Sequence, residues 1–151
     1  MPQPELIDKT VLVALGGNAI SPKTSAGTIT EQFKHTRASL KSIMHFINAG
    51  YKIGITHGNG PQVGDELRRN ELAVNEVPEL PLGVLVANTQ GAIGYMIQQS
   101  LQNALHNKKI EREVVTFISQ VRVEPDDPAI SRPTKYIGRR YPTEQAEKLM
   151  D

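Results

Sequence analysis

The sequence contains no cysteine, which removes disulfides, thiolate metal sites and a cysteine nucleophile from consideration. A chain without cysteine suits a reducing compartment. Neither sign of charge is in excess: 17 Lys and Arg face 16 Asp and Glu, for a net charge of +1. That balance gives no electrostatic case for nucleic acid or an anionic membrane. Aromatic residues make up 5% of the chain, and no run of Lys and Arg is interleaved with them. No apolar stretch approaches the roughly 18 residues needed to span a bilayer. Residues 1–8 have neither a charged n-region nor an apolar h-region, so they do not read as a secretory signal. These exclusions predict a soluble, cytoplasmic protein with no nucleic-acid and no membrane partner.

What is present is ordinary in bulk and specific in detail. With 151 residues, 38% of them hydrophobic, the chain is long enough for one domain with a real core, or for a portion of something larger. Two glycine loops stand out, Leu15-Gly16-Gly17-Asn18 and His57-Gly58-Asn59-Gly60-Pro61-Gln62-Val63-Gly64. Each follows a short apolar run and precedes a segment of helical spacing. Glycine at such a turn can take positive φ and come close to a ligand. Main-chain N–H groups at a strand-to-helix turn form a donor site for phosphate or carboxylate. A parallel β-α-β unit would set both loops at one sheet edge, where open α/β sheets bind ligands.

The pattern along the chain supports that unit. Residues 11–15 form a continuous apolar run, as in a strand buried on both faces. Residues 21–27 read as a loop, and Thr28-Ile29-Thr30-Glu31 has capping-box spacing. Phe33, Leu40, Ile43, Met44 and Ile47 then repeat at helical spacing up to Gly50, which takes the C′ role. Residues 51–56 read as a second strand, parallel to the first because a right-handed crossover joins them. A polar helix is expected over 65–75. A long helix is expected over 84–105, with Val84, Ala87, Gly91, Gly94, Ile97 and Leu101 on one stripe. Gly91 and Gly94 suit close packing on another backbone, such as a partner subunit. A third strand is expected over 114–118, with Val121-Arg122-Val123 as the start of a hairpin. A polar, proline-rich stretch follows to residue 142. The helical pattern over 144–150 stops after two turns without a capping signal, which reads as an interrupted element.

Each candidate side chain has a functional and a bland reading. Asn18 and Asn59 can donate N–H bonds to a phosphoryl or carboxylate oxygen, or cap their own turns. His57 can bind an anion or transfer a proton, or serve as a structural hydrogen-bonder. Lys135 can bring a point charge to a phosphoryl group, or be a surface lysine. Asp126 and Asp127, between prolines, read as turn residues rather than a metal pair. His35, His45 and His106 show no metal-ligand spacing.

Four motifs occur in order: Val13-Ala14-Leu15-Gly16-Gly17-Asn18-Ala19, Thr56-His57-Gly58-Asn59-Gly60-Pro61-Gln62-Val63-Gly64, Thr89-Gln90-Gly91-Ala92-Ile93-Gly94-Tyr95 and Pro133-Thr134-Lys135. On these the chain resembles the carbamate kinases of the amino acid kinase family, from about residue 11 onward. The resemblance implies a three-layer α/β/α sandwich around a mainly parallel sheet, truncated before the nucleotide-binding half. Residues 1–151 would be the N-terminal lobe that binds carbamate or carbamoyl phosphate, with 121–142 part of a projecting lid. It implies reversible phosphoryl transfer between ATP and carbamate, giving carbamoyl phosphate and ADP, in arginine breakdown, by a homodimer. Gly16, Gly17 and Asn18 would lie along the transferred phosphoryl group, and Gly58, Asn59 and Gly60 would hold the carbamoyl end. Lys135 would close over the site. ATP or ADP with Mg²⁺ would bind in the second half that family members carry. Two features depart from the family: Tyr136 replaces the proline that follows Pro-Thr-Lys, and Val123-Glu124-Pro125 and Ile130 replace Val-Asp-Pro and Phe. The competing readings are an acetylglutamate-type kinase and a non-catalytic fragment that binds an anion or dimerises.

Overall fold

A computed structural model describes residues 3–22, 25–137 and 143. The elements run β1 (Thr10–Leu15), α1 (Gly17–Ile20), α2 (Ile29–Asn48), β2 (Lys52–His57), α3 (Gly60–Ala73), α4 (Leu82–Asn107) and α5 (Pro128–Ser131). Helix α2 starts where its local chemistry dictates. The Thr28 hydroxyl accepts from the Glu31 N–H at 3.3 Å, and Glu31 accepts from the Thr28 N–H at 3.1 Å. Such a cap stabilises a helix by about 1 kcal/mol. The helix ends at Gly50, whose φ of +85° is left-handed. The chain then turns into β2, which lies parallel to β1 in the register Thr10↔Lys52 to Leu15↔His57.

Helices α2 and α4 pack together on one face of this pair. Leu40, Ile43 and Ile47 of α2 meet Ile93, Ile97 and Leu101 of α4, over Val13, Ile53 and Ile55 of the strands. Each such aliphatic side chain contributes about 1.5–3 kcal/mol when fully buried. Burial along β1 alternates rather than running continuous: Leu15 is buried, but Leu12, on the opposite face, is 71% exposed. The described residues therefore form a helix layer and a sheet layer. Among the described residues the sheet is the parallel pair β1–β2, with the helices packed on it.

Three expectations need correction. Residues 111–123 form no strand or hairpin. The segment runs back along α4, and glutamine side chains meet its backbone instead of a ladder. Gln102 accepts from the Val114 N–H at 3.1 Å and donates to the Arg112 carbonyl at 3.1 Å. Gln90 accepts from the Ser119 N–H at 2.9 Å. A cavity of about 370 Å³ separates residues 112–117 from β2. Secondly, the N-terminal half of α4 buries Leu85, Thr89 and Ile93, while Val84 is exposed. Gly94 is crowded as expected, but its neighbour is Thr116 of this same chain. The helix expected over 65–75 begins earlier, at Gly60, so Pro61 and Gln62 belong to its first turn. The pattern over 144–150 lies outside the described residues, and among the described residues no helix is long and apolar enough to cross a membrane.

Candidate functional site

The parallel register sets Leu15 level with His57, so the chain leaves both strands at the same edge. The glycine loops meet there. The Gly58 N–H points to the Leu15 carbonyl at 3.4 Å, and Pro61 side-chain atoms lie 3.8 Å from where a Gly17 Cβ would be. Helix α3 starts at Gly60, with Asn59 as its N-cap residue. Its unpaired N–H groups carry the positive end of the helix dipole. One edge thus gathers Gly16, Gly17, Gly58, Asn59 and Gly60, together with Asn18 in α1.

Of the two uses expected of these glycines, positive φ is not found. None of Gly16, Gly17, Gly58 or Gly60 has positive φ; that conformation is found at Gly27 and Gly50. A Cβ at Gly16, Gly58 or Gly60 would meet no atom of another described residue within 4 Å. Neither backbone strain nor internal packing demands glycine at these three positions. What a side chain would occupy is the open space over the loop.

Asn59 neither caps α3 nor offers both its N–H groups to solvent. Its Nδ2 donates to the Thr89 hydroxyl at 2.9 Å. Thr89 in turn donates to the Val86 carbonyl at 2.8 Å. A parallel chain of bonds holds the other side: Gln62 Nε2 donates to Gln32 Oε1 at 3.0 Å, and Gln32 Nε2 to the Gly27 carbonyl at 2.9 Å. Both Gln62 Oε1 and His57 Nδ1 are buried without a partner among the described residues. Sequence reading gave Thr89, Gln62 and Gln32 no role. The available signal was a polar residue on the buried stripe of α4. Lys135 lies in an exposed segment beside Tyr136, which is 98% exposed. Asp127 is a turn residue as expected, capping α5 through the Ala129 N–H at 2.8 Å.

A larger groove, about 530 Å³, lies between the C-terminal halves of α2 and α4, at the opposite end of the strands. Arg37, Lys41, His45 and Lys108 border it. Lys108, the C-cap residue of α4, is placed to offset that helix's dipole, whereas Arg37 and Lys41 lie further back along α2.

A parallel β-α-β unit with glycine loops at the carboxyl ends of its strands is an α/β arrangement that presents main-chain donors at one sheet edge. By sequence and by fold, the chain is a relative of the carbamate kinases over the residues it spans. It is 45% identical over 141 residues to the carbamate kinase of Pyrococcus horikoshii, covering 92% of this chain and 45% of that protein. Carbamate kinase from Giardia lamblia bound to citric acid superposes with a TM-score of 0.88 at 40% identity, covering 94% of this chain and 46% of that one. The same Giardia enzyme bound to AMP-PNP gives 0.82 at 40% identity, with 94% and 45% covered. The chain therefore spans a little under half the length of the relatives it matches. No protein-family model matches it.

Proposed function

We propose that the chain supplies the acceptor side of a carbamate kinase, in which a phosphoryl group passes reversibly from ATP to carbamate, giving carbamoyl phosphate and ADP. The observation that carries this reading is the meeting of two glycine loops at one edge of a parallel strand pair, with open space beside Gly16, Gly58 and Gly60. Identity of 45% to a carbamate kinase supports it. Backbone N–H groups of Gly16, Gly17 and Asn18 would lie along the phosphoryl group, while Gly58, Asn59 and Gly60 hold the carbamoyl end. Phosphoryl transfer is mostly positioning and charge stabilisation, so it needs no side-chain nucleophile. Lys135, on a lid formed by 121–142, would neutralise charge on the transferred oxygens. Mg²⁺ would come in with the nucleotide. A cytoplasmic homodimer acting in arginine breakdown completes the proposal.

The test is a coupled assay for ATP formation from ADP, Mg²⁺ and carbamoyl phosphate, run beside a binding titration of the same chain. Binding of carbamoyl phosphate without turnover is the expected result. Turnover would place a nucleotide site within these residues, and absence of binding would remove the acceptor site. A second reading is a non-catalytic module that binds an anion or dimerises, since main-chain donors at a strand-to-helix turn suit any small anion. Binding of inorganic phosphate as tightly as carbamoyl phosphate would favour it.

A further inference from the structure

We propose that Thr89 is a positioning residue that fixes which atom of the Asn59 carboxamide faces the ligand, and so makes the loop selective for an acyl phosphate bearing an N–H. The inference rests on the acceptor site proposed above. Thr89 is 3% exposed. Its hydroxyl has one proton, and two α4 carbonyls compete for it, Val86 at 2.8 Å and Leu85 at 3.1 Å. With that proton committed, the oxygen can only accept. Asn59 answers with Nδ2. An amide carries its donor and acceptor on opposite corners, so anchoring Nδ2 on α4 turns Oδ1 away from it.

The neighbouring relay follows the same logic. The Gly27 carbonyl can only accept, so Gln32 presents its NH₂ to it; Gln32 Oε1 then takes the NH₂ of Gln62. Gln62 Oε1 is left over, buried and without a donor. A backbone carbonyl begins each chain and an amide oxygen ends it. The first turn of α3 therefore carries acceptors beside the main-chain donors of its loop. Donors suit phosphoryl oxygens. An amide oxygen repels those oxygens and calls for an N–H, which a carbamoyl group has. Acetyl phosphate has the same phosphate and acyl oxygen, with a methyl group in place of NH₂. A site that bonds an N–H discriminates against the analogue lacking it, because its own acceptor is then left unpaired.

The experiment titrates the ¹⁵N-labelled chain with carbamoyl phosphate, acetyl phosphate and inorganic phosphate, as wild type, Thr89→Ser and Thr89→Val. Wild type should bind carbamoyl phosphate about tenfold or more tighter than acetyl phosphate. Thr89→Ser should keep that ratio and the position of the Asn59 side-chain NH₂ resonances. In Thr89→Val the resonances should move and the ratio fall to within about twofold of unity, with affinity for inorganic phosphate nearly unchanged. Thr89→Ala takes its place if the valine variant loses the native spectrum. A ratio retained without the hydroxyl, or absent in wild type, overturns the inference and leaves the site standing. A wild type that binds none of the three overturns the site itself, and the inference with it.

Discussion

Replacing Gly50 with alanine tests the joint that sets the strand register. Gly50 sits at φ +85°, and a Cβ there would press on the Glu5 carbonyl oxygen well inside contact distance. A left-handed conformation costs an L-residue about 1–2 kcal/mol. The Glu5 backbone cannot retreat without disturbing the bond from the Ile7 N–H to the Gly50 carbonyl, now 3.0 Å. Losing that bond adds about 0.5–1.5 kcal/mol. Alanine also restricts the unfolded chain, which returns about 0.4–1 kcal/mol. The net is a destabilisation of about 0.5–3 kcal/mol, or about 1–12 °C in Tm for a chain of this size. Urea and thermal unfolding of wild type and Gly50→Ala measure it. Gly50→Asn separates the two costs, since asparagine tolerates the left-handed region but still carries a Cβ; it should fall between the two. An alanine variant as stable as wild type would refute both the conformation and the Glu5 contact.

Three other expectations follow from single contacts. Hydrogen bonds from the Thr28 backbone N–H and hydroxyl hold the Glu31 carboxyl below its ordinary pKa. A depressed folded-state pKa gives stability that is present above the unfolded value and lost as pH falls through the folded one. Wild type should therefore lose more stability than Glu31→Gln on acidification from about pH 6 to pH 3, as followed by urea midpoints. Gly94→Ala sets a helix-propensity gain of about 1 kcal/mol against crowding of Thr116 that costs about 1–3 kcal/mol. Crowding should win, with faster hydrogen exchange at the Val114 and Ser119 amides; slower exchange would contradict the packing. Gly58→Ala and Gly60→Ala meet no atom of another described residue, so they should change stability by about 1 kcal/mol or less. Both should still abolish binding of carbamoyl phosphate in a direct titration.

The parts of the fold legible in the sequence are those fixed by local chemistry. Thr28 and Glu31 announce the start of α2 and Gly50 announces its end, because caps are made within a few residues. The parallel pairing followed from the length of the crossover between two apolar runs. Residues 114–118 have the composition of a strand, but a strand also needs a backbone partner, and that condition is non-local. Here Gln90 and Gln102 fill the role from α4. The stripe of α4 was misjudged near its start because Gly91 and Val84 looked apolar, while Thr89, the buried residue, is polar. At the site, the glycine loops and the room they leave for a ligand were readable as motifs, but the expected positive φ was not what the fold uses. Their φ values are ordinary, and the space beside Gly16, Gly58 and Gly60 is open. The Asn59–Thr89 bond spans 30 residues, and nothing in the spacing of the two motifs signals it.

The most direct test of the acceptor site is a map of amide shift changes across the folded chain as carbamoyl phosphate is added. Saturable changes centred on Gly16, Gly17, Gly58, Asn59 and Gly60 are predicted, with the basic groove between α2 and α4 unaffected. Changes confined to Arg37, Lys41 and Lys108, or none at saturating ligand, would contradict the account.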